Sequence, residues 1–496
     1  MMRGLTVPLL LEHRARVEPS HVAIRQGSAA LSMARWHERA RRVSAGLLEA
    51  GMAQGDRVGL VFGGRDWIDY AVAYAGVTGI GGVAVPISAQ AAPIEIGYML
   101  EHCGARAMLH GPGEVPVPGG ISWYASISSL GGVAPVEELP IPRPGDLAQI
   151  LYTSGTTGRP KGVAASHANV TYGCALRPAQ RRLAHSSLFL HCFPIGTNAG
   201  QTMLVNALDA AAGMLATARF TPGHFARLVA EHRVGTVFVV PAMAIELLRS
   251  GVLAEHDMSS VVLFGSTAAA LPPSVASGLS ETLPDATIVN YYTSTEAAPA
   301  QTTMLFNPSR PGALGRPAVA GTLRVTGPDG RPAPVGEPGE VWLRSPVAPR
   351  SYYGDAEASA RVFDGDWIRM GDVGYLDDEG HLYLVDRDSD VIKSGAYKVS
   401  TLQVESALYQ HPDILDAAVV GVAHEVLGMV PAAALVATRP VRIPELRSFL
   451  AAHLAPHELP VRWRQVELLP RNRAGKVLKT QVRQMFSKTT TDGGQS

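Results

Sequence analysis

The chain has 496 residues, 46% of them hydrophobic and 17% charged, and Lys plus Arg equals Asp plus Glu at 43 each. That length exceeds what one compact core organises, so two or more domains are expected, and the balanced charge gives no field for nucleic acid or an anionic membrane. Three cysteines, Cys103, Cys174 and Cys192, form no CxxC pair, which excludes a disulfide framework and a thiolate zinc site and suits a reducing, cytoplasmic setting.

The opening "LTVPLLL" runs straight into "EHRAR" without a small-x-small cleavage site and reads as a first helix. From Arg57 to Leu109, strand-length apolar runs ("DRVGLVF", "GVAVPI", "RAMLHG") alternate with helix-length segments ("DWIDYAVAYAGVTGIG", "PIEIGYMLEHCGA"). This alternation predicts βαβ units and a largely parallel sheet covered on both faces. The longest apolar run, Ala71 to Ile87, is broken by glycines and parses as a buried helix feeding a buried strand, not a membrane span. The rhythm resumes after residue 180 with "SSLFLHCFP", "TVFVVP", "VVLFGS" and "TIVNYY". Between Arg310 and Pro346 the text turns to short Gly-, Pro- and Val-rich pieces with turn signals at "GPDG" and "GEPG", which predict antiparallel β. After residue 388 comes a small mixed α/β set, and residues 488–496 lack the apolar content to pack and are expected to be disordered.

"ILYTSGTTGRPKGV", Ile150 to Val163, places a turn rich in Gly, Ser and Thr after a strand. Gly155 and Gly158 accept the positive φ values that let backbone N–H groups converge on an anion. Ser154, Thr156 and Thr157 add hydroxyl donors, and Lys161 adds a cation. The spacing is not GxxxxGK[ST], so this is not a Walker loop; the plain alternative is a solvated polar hairpin. As a whole the string resembles the phosphate-loop signature of the adenylate-forming superfamily: acyl- and aryl-CoA synthetases, peptide-synthetase adenylation domains and firefly luciferase.

Four further stretches carry the resemblance in the family's order. "NYYTSTEAAPA", Asn290 to Ala300, looks like the aromatic–Gly–x–Thr–Glu segment. It implies Tyr292 stacked on adenine, Thr295 on phosphate and Glu296 holding Mg²⁺, with Thr293 where the family usually has glycine. "WIRMGDVGYLDDEGHLYLVDR" resembles the Gly-Asp and Asp-Arg pairing, implying Asp372 on the ribose hydroxyls and Arg387 on ribose or phosphate. The neighbouring Asp377 and Asp378 read as hairpin-turn residues. "SDVIKSGAYKVSTLQVESAL" resembles the start of the family's C-terminal domain, with Ser389 at the pivot and Ser394, Gly395 and Ala396 along the thiol tunnel, one glycine short of the CoA-ligase pattern. "LPRNRAGKVLK" resembles the terminal lysine motif and makes Lys476 the catalytic cation.

The resemblance implies an α/β fold: an adenylating domain over 1–387, built of βαβ layers with parallel sheets and a β-rich subdomain at about 310–387, and a small mobile α+β domain over 388–487. The implied activity is AMP-forming ligation of a small-molecule carboxylic acid to coenzyme A, with ATP and Mg²⁺. Thr153, Ser154, Gly155, Thr156, Thr157, Gly158 and Lys161 would hold the phosphates. The acyl pocket is expected from Ile195, Gly196, Thr197, Asn198 and Gln201, with Gly265, Ser266, Thr267, Ala268 and Tyr291 opposite. "TAAAL" departs from the family's Gly-Gly-Ala-Pro loop, and Ile195-Gly196-Thr197 stands where many CoA ligases carry histidine. The alternative acceptors are a carrier-protein thiol and a nitrogen nucleophile. No nucleic acid or membrane partner is expected, and the chain is read as a monomer or homodimer.

Overall fold

The computed structural model describes residues 4–113, 115, 117–136, 138–153, 159–387, 390–394, 397–472 and 475–487. Residues Arg57–Phe62, Val83–Ser88, Ala107–His110, Trp123–Ser126 and Leu147–Thr153 form the parallel part of a seven-stranded sheet, extended at one edge by Lys161–Ser166 and Ser351–Tyr352. A nine-stranded sheet is parallel through Val22–Gln26, Gly213–Ala216, Leu188–His191, Thr236–Val239, Leu263–Ser266 and Thr287–Tyr292. Both sheets end in antiparallel edges, because the hairpins at 147–166 and 287–305 fold directly back rather than crossing over.

One core cluster links the two sheets. Leu60 and Ala84 from the smaller sheet and Phe189 and Met214 from the larger pack on the same helices, Met33–Glu49 and Trp67–Gly79. Trp67 and every residue from Tyr70 to Gly79 are buried, as expected for a helix apolar on all sides. The Trp36 indole N–H is kept satisfied there by the Ala71 carbonyl at 2.9 Å.

The chain then builds an antiparallel sheet from Leu323–Thr326, Gly339–Arg344, Trp367–Leu376, Phe363–Asp364 and Leu382–Arg387. As read from sequence, Asp377 terminates a hairpin: it accepts the backbone N–H groups of Glu379 and His381 and pairs with Arg310 at 2.6 Å. A last sheet joins the long antiparallel strands Ile414–His424 and Gly428–Ala437 to Ile392–Ser394, Tyr397–Val399 and Arg462–Gln465. Helices Thr401–Tyr409, Ile443–Ala451 and Lys479–Ser487 cover it over two clusters of its own. This smaller lobe meets the larger through the helix Pro241–Arg249, where Tyr409 reaches into the larger lobe's core. Among the described residues no helix is long and apolar enough to cross a membrane.

Candidate active site

Parallel strands deliver their carboxyl ends to one edge of a sheet, where α/β proteins place ligands. Thr236–Val239, Leu263–Ser266 and Thr287–Tyr292 end together here, and the polar side chains gather around them.

Asp372 stands directly opposite Arg387 in an antiparallel pair, so their side chains meet: Nε of Arg387 lies 3.2 Å from Oδ1 of Asp372. The Tyr292 hydroxyl donates to the other carboxylate oxygen at 2.6 Å. Asp372 is only 3% exposed, so these partners hold a charge that burial would otherwise penalise. Lys476 arrives from the smaller lobe on the short hairpin Arg471–Val477. Gly475 turns that hairpin at φ +79°, and a Cβ there would lie 3.3 Å from Cγ2 of Val240 in the larger lobe. Burial between the lobes and then the Arg387 guanidinium push the Lys476 amine down to about 8, against the pull of Asp372 and Asp390. The side chain stays open to solvent at the mouth of the cleft, so water offsets part of that burial.

A second carboxylate lies entirely within the larger lobe. Glu296 accepts the Tyr352 hydroxyl at 2.9 Å, and the ammonium of Lys161 sits 4.8 Å from the centre of the same tyrosine ring. Arg350 is buried, donates to the Thr295 carbonyl at 2.8 Å and to Asn198 Oδ1 at 3.3 Å, and keeps its Nε without a partner among the described residues. Burial lowers its guanidinium to about 10, so it stays charged at neutral pH. Neither Arg350 nor Tyr352 was singled out from the sequence. Only the fold brings them here, by pairing the strand Ser351–Tyr352 with Val163 and Ala164, just beyond Lys161.

Thr153 and Lys161 face each other at the base of the hairpin that carries the Gly- and Thr-rich turn. Ser154, Gly155, Thr156, Thr157 and Gly158 lie outside the described residues, as do Ser389, Gly395 and Ala396. Ser394 is buried, next to Gly428 across the sheet. On either side of 388–389 the chain is tied down. Asp386 accepts both the backbone N–H and the hydroxyl of Thr401, and Ser400 donates to the Val385 carbonyl. Lys479 donates to Thr401 Oγ1 at 2.6 Å and pairs with Glu405 at 3.2 Å and Asp390 at 3.7 Å. Burial alone would lower the Lys479 amine, but these carboxylates outweigh it and raise it.

The expected pocket residues divide into wall and lining. Gln201 is buried with both amide atoms engaged inside the protein: Tyr70 donates to its oxygen at 2.7 Å, and its nitrogen donates to the Ile195 carbonyl at 2.5 Å. Thr197 caps the helix Asn198–Asp209 by accepting the Gly200 N–H at 3.0 Å. Ile195 is buried and Gly196 packs on the backbone of Ser88. Gln201 and Thr197 thus spend hydrogen bonds on shaping this side of the site. Opposite, Tyr291 and Phe238 lean over Gly265, where a Cβ would approach the two rings to 3.1 Å and 2.8 Å. Thr267 bonds through its backbone to Val239, and Ala268 holds a left-handed φ of +74°, the conformation that a glycine would adopt freely. Thr293 spends its hydroxyl on the Ala300 carbonyl at 2.7 Å. Ser266 Oγ and Asn290 Oδ1, neighbours across paired strands, are buried without partners among the described residues. Asn290 had not been singled out either.

An AMP-binding enzyme family model matches residues 11–353, and a model of the AMP-binding enzyme C-terminal domain matches residues 403–476. A feruloyl-CoA synthase from an Amycolatopsis species is 31% identical over 494 residues, covering 95% of this chain and 97% of that protein. The structure of an anthranilate CoA ligase in complex with anthranoyl-AMP superposes with a TM-score of 0.86 at 22% identity, covering 98% of each chain. The amide bond synthetase McbA from Marinactinospora thermotolerans superposes with a TM-score of 0.81 at 26% identity, covering 96% of this chain and 99% of the other. With a matching core, a matching C-terminal domain and relatives aligned end to end, this chain belongs to the AMP-binding enzyme family.

Proposed function

We propose that this protein joins a small carboxylic acid to AMP at the expense of ATP and then passes the acyl group to the thiol of coenzyme A. The observation that carries the reading is that the hairpin of Lys476, from the smaller lobe, packs on Val240 of the larger and brings the amine within electrostatic reach of the paired Asp372 and Arg387. In the first step a carboxylate oxygen attacks the α-phosphorus, the α–β bond breaks, and pyrophosphate leaves with that electron pair. Anion meets anion, so the protein's work is to neutralise and align. Lys476 bridges the carboxylate and α-phosphate oxygens, Asp372 accepts the ribose hydroxyls, and Tyr292 both packs beside the base and fixes Asp372. The buried, unpartnered Ser266 and Asn290 suit the edge of a base or an acyl group at the strand ends.

Among the described residues no cluster of three or more metal-ligating side chains exists, which fits Mg²⁺ held by one carboxylate and substrate phosphates. Glu296 is that carboxylate, and Thr153, Lys161 and the 154–158 turn hold the triphosphate. Bound there, Mg²⁺ would offset phosphate charge. In the second step the smaller lobe, taken as 388–487, turns about 388–389, withdraws Lys476 and admits the thiol past Ser394. The thiolate displaces AMP from the acyl carbon. Three free cysteines suit the cytoplasm.

A nitrogen acceptor is the second reading, favoured by the likeness to the amide bond synthetase. The test is pyrophosphate release across a panel of carboxylic acids, with and without coenzyme A, and with hydroxylamine as trap. Turnover that requires coenzyme A is the expected result. Turnover with the trap alone supports the second reading, and silence across the panel overturns both.

A further inference from the structure

Arg350 is 6% exposed and is in no ion pair among the described residues. Burying a charge in this way costs stability, and an apolar side chain of similar size would fill the space without that cost. The guanidinium instead donates twice through one nitrogen: Nη1 bonds the Thr295 carbonyl at 2.8 Å and Oδ1 of Asn198 at 3.3 Å. The Thr295 carbonyl needs this donor. Just before it, the Ser294 carbonyl accepts the Ala298 N–H at 3.0 Å, and the next bond of that series would have to come from Pro299, which has no N–H. Arg350 takes its place. Two residues on, Tyr352 donates its hydroxyl to Glu296. Side chains two apart leave the same side of an extended chain, so residues 350 and 352 hold the neighbours 295 and 296 together. The strand Ser351–Tyr352 is itself pinned to Val163 and Ala164, on the hairpin that carries the Gly- and Thr-rich turn. Asn198 opens the helix Asn198–Asp209, whose first turn holds Gln201 and forms one wall of the expected acyl pocket.

We propose that Arg350 is a positioning residue for adenylate formation: it fixes the pocket helix relative to the Thr295–Glu296 segment and so sets the acid against the α-phosphorus. The inference rests on the proposed function, which supplies the two reactants. Three pieces of chain far apart in sequence, at 163–164, 198 and 295–296, converge on residues 350–352. In the proposed reaction one of them faces the acid and the other two face the triphosphate. An error in their relative placement leaves each reactant its own contacts and spoils the distance between the reacting atoms. Such alignment governs rate, and a shift of about 1 Å can cost on the order of a hundredfold. Because one nitrogen with two N–H groups serves both acceptors, position 350 calls for a cation with several donors rather than for bulk.

The test splits rate from affinity in the full chain. Pyrophosphate release gives kcat with the acid of the panel that turns over fastest. Calorimetry gives Kd for α,β-methylene-ATP with Mg²⁺, a non-cleavable analogue, and, in its presence, Kd for that acid; the stoichiometry corrects kcat for the binding-competent fraction. Arg350→Met should lower kcat by about tenfold to a hundredfold while both Kd values stay within about threefold of native. Arg350→Lys, whose ammonium also carries several N–H groups, should recover part of the rate. A merely structural arginine would move stability and the competent fraction but not this corrected kcat. An unchanged kcat, a loss carried wholly by either Kd, or a lysine variant no faster than the methionine variant overturns the proposal. Should Arg350→Met fail to fold, Asn198→Ala decides, since Asn198 is only half-buried and supplies one of the two acceptors. That variant should lower kcat by about threefold at unchanged Kd, and an unchanged kcat overturns the proposal. Silence of the native protein across the panel is instead the failure of the proposed function, and takes this inference with it.

Discussion

Asp372 and Glu296 are both single carboxylates gripped by a tyrosine hydroxyl, at 2.6 Å from Tyr292 and 2.9 Å from Tyr352, yet they belong to different kinds of site. The Glu296 group, with Arg350, Tyr352 and Lys161, draws only on the larger lobe and is present in any arrangement of the two. The Asp372 group is complete only while Lys476 is presented by a hairpin of the smaller lobe resting on Val240. One is a fixture and the other an assembly. The proposed reaction of two halves uses that difference, with Lys476 in place for adenylate formation and withdrawn for transfer to the thiol.

The largest expected effect separates the two directly. Lys476→Ala should slow adenylate formation by about a hundredfold or more, as for loss of one preorganised charge donor, while thioester formation from supplied acyl-adenylate changes little. Equal loss of both half-reactions, measured by pyrophosphate release and by thioester yield, would break the comparison. Glu296→Gln should cost roughly tenfold to a hundredfold in the same first step and raise the Mg²⁺ concentration needed for half-maximal rate, which Lys476→Ala should leave unaltered.

The pH profile sharpens the contrast further. In the proposed role Lys476 acts as an ammonium, and burial lowers its pKa to about 8, so kcat/KM for adenylate formation should fall as pH rises through that value, by about tenfold per unit once the amine is neutral. Glu296→Gln should keep this fall and Lys476→Arg should lose it. The smallest effect concerns Ala268, on the side of the site expected to line the pocket. Ala268 occupies a left-handed backbone at φ +74°, so Ala268→Gly should stabilise the protein by about 1 kcal/mol in chemical denaturation, by removing the strain on a Cβ-bearing residue.

Much of this was legible in the sequence, and what was not has a physical cause. Alternation of strand- and helix-length runs gave the parallel layers, because a covered sheet must be apolar on both faces. Motifs pointed to Asp372, Glu296 and Lys476, and the fold sets Asp372 against Arg387 and Tyr292 and Glu296 against Tyr352. Arg350 and Tyr352 stayed hidden because their roles depend on the pairing of Ser351–Tyr352 with a strand nearly 190 residues away, which no local pattern announces. Gln201 was read as a pocket residue from its segment, and the bonds that Tyr70 and the Ile195 carbonyl make with its amide could be seen only in the fold. Asn290 was passed over because it lies inside a strand of apolar neighbours, and only its buried, unpartnered oxygen distinguishes it.

The bonds that Asp386 and Val385 receive from Thr401 and Ser400 sit immediately beside the segment 388–389, and Lys479 anchors Asp390 just past it. Residues 385–386 and 400–401 stand on opposite sides of the proposed pivot, so a turn of the smaller lobe about 388–389 would have to break these bonds first, and the arrangement seen here is latched rather than loose.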